Sequence, residues 1–144
     1  MRRSSRRADS LPRKTDSHNP GDWLWIAAIE VSAIQHLVKD EVGFIVCRSK
    51  LAEALEKIMK AELLRFGWTL QKTHDLERLL QALIAHASEL AEPASPLCAA
   101  LAEAYFSDRY PGFDLDDPDW PARRAQVEQV AALLAAVQGR MSGP

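Results

Sequence analysis

The chain has 144 residues, 47% of them hydrophobic and 26% charged, which is enough for one domain with a sizeable core and ordinary for a globular protein. The net charge of −2 hides an asymmetry: residues 1–18 hold Arg2, Arg3, Arg6, Arg7, Arg13 and Lys14 against Asp9 and Asp16, which leaves −6 on the remainder. An acidic body argues against constitutive, charge-driven nucleic-acid binding by the folded part and leaves the basic start as a candidate electrostatic arm.

Apolar residues are mostly Ala and Leu, with only four Phe and two Tyr, a composition that favours helix over strand. Cys47 and Cys98 have no C-x-x-C spacing and no neighbouring His pair, so neither a disulfide framework nor a zinc site is expected and a reduced, cytoplasmic setting fits. The Arg-rich start followed by Trp23 to Val38 imitates a signal peptide, but Glu30 and Gln35 interrupt the apolar run and no clean cleavage site follows. No segment approaches about eighteen uninterrupted apolar residues, so no membrane span is expected.

Residues 1–18, rich in Arg, Ser, Asp and Pro without periodicity, read as a disordered basic tail, and residues 19–144 as one helical domain. Asn19-Pro20 marks the first helix start, an N-cap followed by proline at the first helical position. That helix extends to about Lys39, with Ile26, Ile29, Ala33 and Leu37 on one face. A second helix, Gly43 to Phe66, places Phe44, Cys47, Leu51, Leu55, Ile58, Leu63 and Phe66 inward, and Gly67 ends it. Thr73 is the expected cap of a third helix, His74 to Leu90, burying Leu76, Leu79, Leu80, Leu83 and Ile84.

A loop at Pro93 leads to a fourth helix starting at Ser95-Pro96 and stopped by Pro111, with Leu97, Leu101 and Tyr105 four apart. The last helix starts at Asp117-Pro118 and carries Val127, Val130, Leu134, Val137 and Met141 in steps of three and four. The sum is an all-α, up-down antiparallel bundle of four to five helices, without repeats or strand signals.

Two motifs inside this pattern carry a family resemblance. Glu56, Lys57, Lys60, Ala61 and Leu63 match E-K-x-x-K-A-x-L, and Thr73, His74, Asp75, Leu76, Leu79 and Leu80 match T-H-D-L-x-x-L-L. Arg109-Tyr110-Pro111 adds an R-Y-P before the last helix. Together, over roughly residues 22 to 140, the chain resembles the HEPN domain, a small all-helical module. The resemblance implies a nucleotide or RNA ligand, a nucleotidyltransferase protein as partner in toxin–antitoxin-like systems, and homodimers formed through helix faces. No cofactor is expected.

Three places are candidate ligand sites. At the start of the third helix, Lys72, Thr73, His74 and Arg78 surround a positive dipole end suited to phosphate, although Asp75 and Glu77 compete there and the same residues also read as a simple helix cap. Arg109 and Tyr110 suit phosphate recognition and base stacking, or else the pinning of the acidic loop Asp114 to Asp119. Lys60 either meets a ligand phosphate or belongs, with the pairs Glu53–Lys57 and Glu56–Lys60, to a solvated helix face. The acidic loop lacks the Gly and terminal Glu of an EF-hand, so no metal is expected.

Catalytic members of the family that the chain resembles carry Arg, four to six residues, then His. The His serves as base on the 2′-hydroxyl, and the Arg stabilises the charged phosphorane. Here Arg65 to His74 has eight residues between and Arg78 to His86 has seven; only Arg13 to His18, with four, fits, and it lies in the tail. Among twelve Arg and four His, roughly one such match arises by chance. The sequence therefore favours a non-catalytic module, with a ribonuclease using a displaced His74 or His86 as the alternative.

Overall fold

The computed structural model describes residues 14–104, 111–112 and 117–142. Among them are five helices and no strand: α1 (Pro20–Lys39), α2 (Phe44–Arg65), α3 (Leu76–Ala85), α4 (Ala91–Leu101) and α5 (Trp120–Ser142). The all-α bundle expected from the sequence is what forms. The helix α2 is its spine and touches each of the other four. Its Leu51, Leu55, Ile58, Met59 and Leu63 are fully buried.

Side-chain contacts fix the directions. Lys57 of α2 meets Glu30 of α1 at 3.1 Å, so these helices form an antiparallel hairpin. The helices α3 and α4 pack on each other across the short connection 86–90 and form a second hairpin. The stretch 66–75 joins the hairpins.

The starts differ in detail from the sequence reading. Asn19 caps α1 as expected, accepting the Gly21 N–H at 2.9 Å with Pro20 in the first turn. Asp75, not Thr73, caps α3: its carboxylate accepts the N–H groups of Glu77 and Arg78 at 3.0 and 3.2 Å, while Thr73 Oγ1 accepts from Asp75 N. Likewise α5 starts at Trp120, where Asp119 accepts the Ala122 N–H at 3.0 Å, two residues after the expected Asp117-Pro118. Pro93 lies in the first turn of α4, where a missing N–H costs nothing, so it opens that helix instead of marking a loop. Pro96, read as a helix start, is inside it.

Three helix ends share one geometry. At α2, Gly67 (φ +85°) donates to Leu64 O and Trp68 to Leu63 O, the paired bonds of a Schellman motif. The same bonds close α1 through Glu41 (φ +53°) and α3 through Ala87 (φ +53°), two residues that pay a steric cost for the left-handed conformation. This is why α3 stops at Ala85 instead of continuing to Leu90.

On α1 the expected face is rotated. Leu24, Ala27, Val31, Ile34 and Val38 form the buried stripe, while Ile29 is 53% exposed, Ala33 is exposed, and Ile26 and Leu37 are half-buried. The periodicity could not choose between the stripes because α1 is apolar nearly all round. Phe66 and Ile84, expected inside, are 40% and 53% exposed. Tyr105 lies outside the described residues. On α5 the expected Val127, Val130, Leu134 and Val137 are buried, and Met141 packs against the core.

Buried charge ties the bundle together. Glu62 of α2 is fully buried and accepts from Arg65 Nε at 3.0 Å, Ser88 Oγ at 2.7 Å and Arg140 of α5 at 2.5 Å. At the other end of α5, the guanidinium of buried Arg123 sits 4.1 Å over the Phe44 ring, which meets Trp120 edge-on at 5.2 Å.

Glu62→Ala is expected to cost about 2–4 kcal/mol, because it strips charge-assisted partners from Arg65, Arg140 and Ser88. Urea unfolding should show a lower midpoint with an unchanged slope. A second effect concerns Glu30. Burial pushes its carboxyl above the usual range, with Lys57 pulling the other way and Glu53 adding to the rise. An acid that holds its proton more tightly when folded loses stabilisation as pH rises from its unfolded pKa through its folded one. Glu30→Gln should therefore gain on the wild type as pH rises from the ordinary Glu value of about 4.3, read as unfolding free energies of the two proteins over a pH series.

Candidate functional site

The two motif segments meet across one carboxylate. Glu56, buried on α2, accepts Lys60 Nζ on one oxygen at 2.8 Å and holds His74 Nδ1 on the other at 2.9 Å. Lys60 returns to Glu56 because residues four apart share a helix face. His74 arrives from the stretch before α3, and its side chain is half exposed. One nitrogen of its ring is therefore pinned while the ring itself remains open to solvent. Which nitrogen carries the proton follows from this pairing: with Glu56 ionised, Nδ1 donates.

Lys60 differs from both of its expected roles. It is 3% exposed, and its ammonium lies 5.2 Å from the Trp23 ring centroid, so it faces neither solvent nor an open groove. The other expected pair, Glu53–Lys57, is replaced by Lys57–Glu30 across the hairpin and by Lys50–Glu53 at 3.2 Å.

A shallow depression opens beside His74, lined by Ser49, Ala52, Glu53, Glu56 and Leu101, with about 10 Å³ of room. That is space for a single water. Any larger ligand would therefore rest on this surface and not inside it.

Lys72 is exposed in the stretch before α3 and Thr73 half-buried beside it; Arg78 is exposed on the first turn of α3. At the start of α3 the competition read from the sequence is visible, since the Asp75 carboxylate accepts the backbone N–H groups of Glu77 and Arg78. His74 lies before α3 and not at its first position as expected, because the helix begins two residues after it. Arg109 and Tyr110 lie outside the described residues.

The variant ribonuclease pair fares poorly. Arg78 and His86 are separated by about 12 Å of helix rise, and His86 stacks on Phe66 with ring centroids 5.6 Å apart and planes at 20°. His18 lies in a turn with its ring 3.6 Å from Asp16, and Arg13 is outside the described residues. Among the described residues, no three of His, Cys, Asp and Glu converge as metal ligands, and no helix is long and apolar enough to cross a membrane.

Cys47 and Cys98 are free and buried. Burial, with a smaller push from Glu77, raises the Cys98 thiol to about 12, and burial raises Cys47 against the pull of Arg123. Both are therefore poor nucleophiles.

Sequence reasoning missed Glu56 as the hub, although it stood in the motif, because a Glu-to-Lys pair at four residues normally signals a solvated face. The available signal was the apolar context: Leu55, Ile58, Met59 and Ala61 flank the pair and are all fully buried.

A protein-family model of the HEPN domain matches residues 21–138, a span that includes Glu56, Lys60 and His74. The chain belongs to the HEPN domain family. Comparison with curated proteins and with solved structures finds no significant match.

Removal of Glu56 leaves the Lys60 ammonium buried without its counter-charge. Glu56→Leu alone should cost about 3–5 kcal/mol. Paired with Lys60→Met it should cost less than the sum of the single changes by roughly 1 kcal/mol or more, read from a double-mutant cycle in urea.

Proposed function

We propose that this HEPN domain is a non-catalytic binding module whose recognition surface surrounds His74. The observation that supports this best is the anchoring of the half-exposed imidazole on Glu56, with exposed Lys72 and Arg78 flanking it in sequence and only a shallow depression beside it. Such a surface presents fixed donors and mobile cations to a ligand that stays largely outside the fold, as a nucleotide phosphate or an RNA backbone would. The acidic body and the long, mobile side chains of Lys72 and Arg78 make the contact weak and salt-dependent.

The family setting adds a protein partner to the proposal, a nucleotidyltransferase in a toxin–antitoxin-like pair, and a homodimer as the assembled form. The apolar outer side of α1, with Trp25 at 39% and Ile29 at 53% exposure, supports contact with another protein surface.

A second reading is favoured by the same pair. An imidazole fixed by a carboxylate is what a general base requires, so His74 with Glu56 behind it would serve a ribonuclease in which Arg78 steadies the phosphorane. The buried Lys60 already neutralises Glu56 and so weakens the support that His74 would draw from it. This is why binding is preferred.

The test is a thermal-shift titration of the protein with ATP, GTP and short RNA. At a hundred times its dissociation constant, a ligand should stabilise the fold by about 2.7 kcal/mol, a shift of several degrees at this size. Loss of the shift in Lys72→Ala and Arg78→Ala would locate the site around His74, and an undiminished shift in both would remove it from there. Cleaved RNA with 2′,3′-cyclic phosphate ends, abolished by His74→Ala, would replace binding by the ribonuclease reading.

A further inference from the structure

An unbroken line of polar and ring contacts crosses the bundle from His74 to the segment before α1. His74 Nδ1 meets Glu56 at 2.9 Å, Glu56 meets Lys60 Nζ at 2.8 Å, and Lys60 lies 5.2 Å from the Trp23 ring centroid. Trp23 Nε1 then donates to Ser17 O at 2.8 Å. The two central members, Glu56 and Lys60, are buried, so neither exchanges its partner for water while the line is intact.

The far end of this line is the segment 14–19, which is exposed along its whole length. Its turn is closed by the Asn19 N–H on Asp16 O at 3.0 Å, and it is fastened to α1 by the Asp16 N–H on Asp22 Oδ2 at 2.8 Å, by the Asp22 N–H on Asn19 O at 3.0 Å and by the Trp23 indole. A short exposed segment held by a few hydrogen bonds opens locally far more often than the core does, and so has a docked and an open state. When it opens, the Trp23 indole loses the bond that sets its orientation, and its ring can move off Lys60. Water then reaches the ammonium and competes for it with Glu56. Glu56 is what fixes His74.

We propose that residues 14–19 are a strap that sets the position of His74 through Trp23, Lys60 and Glu56. What engages His74 is then felt at the strap, and what displaces the strap is felt at His74, since coupling between two sites is reciprocal. The functional meaning of the strap rests on the reading of the His74 surface as the recognition site; the coupling itself does not.

Hydrogen exchange and histidine ring NMR on the full chain, without ligand, test it. In His74→Ala the Trp23 indole N–H and the Asp16 and Asn19 amides should exchange roughly threefold faster or more, while amides of the α2 core keep wild-type rates. In Trp23→Phe, which keeps a ring over Lys60 but removes the indole donor, the His74 ring signals should shift. Lys72→Ala, which alters the same stretch without touching the line of contacts, should leave the strap at wild-type rates. Wild-type strap exchange in His74→Ala, or unshifted His74 signals in Trp23→Phe, would overturn the proposal. Equal acceleration by Lys72→Ala would also overturn it, because the effect would then belong to the stretch and not to the contacts. No ligand enters this experiment, so its failure leaves the thermal-shift result standing, and the reverse also holds.

Discussion

The arrangement of this bundle depends on one carboxylate. Glu62 has no access to water, and a buried charge is tolerated only where donors converge on it. Those donors come from its own helix, from the α3–α4 junction and from the end of α5. A single side chain thus dictates where the second hairpin turns and how the last helix lies along α2. The hydrophobic contacts around it supply most of the stabilisation but little direction, because Leu and Ala faces pack acceptably in several registers. A hydrogen-bonded carboxylate does not. It admits one arrangement, and the bundle takes it.

Another buried carboxylate of α2, Glu56, stands close to two turns away and is satisfied differently, by one buried cation and one half-exposed imidazole. The contrast separates a carboxylate enclosed by the fold from one that also meets the surface. Glu62 spends its capacity on elements of the fold, whereas Glu56 spends half of it on a ring that solvent reaches. The two motif segments are therefore linked through space by chemistry that their separation in sequence does not disclose.

Much of the fold was legible in the sequence, and the reasons for the exceptions are physical. Helix count and class followed from Ala and Leu content, from the Asn19-Pro20 start and from the stop at Gly67, each a local signal for a local event. The stripe on α1 was misplaced because Trp25, Ile29 and Ala33 are as apolar as the residues inside, so periodicity carried no direction. The end of α3 was missed because its left-handed residue is Ala87, and nothing local announces that an alanine will adopt φ +53°. Of the candidate ligand residues, His74 stood in the motif, whereas the burial of Lys60, like that of Arg123 at the start of α5, was not read, since burial of a charge is a property of the whole packing and not of its neighbours in sequence.

The break between α3 and α4 has a consequence for what a fragment of the chain would retain. Local preference from His74 to Leu90 favours one uninterrupted helix; the bend appears because Ser88 turns to donate to Glu62 and to accept from Leu90 N. Severed from α2, residues 74–104 would keep the local bonds of the corner and the packing of α3 on α4 but lose the Ser88–Glu62 bond. The corner of the second hairpin is thus written partly in its own backbone and partly in the spine helix that it packs against.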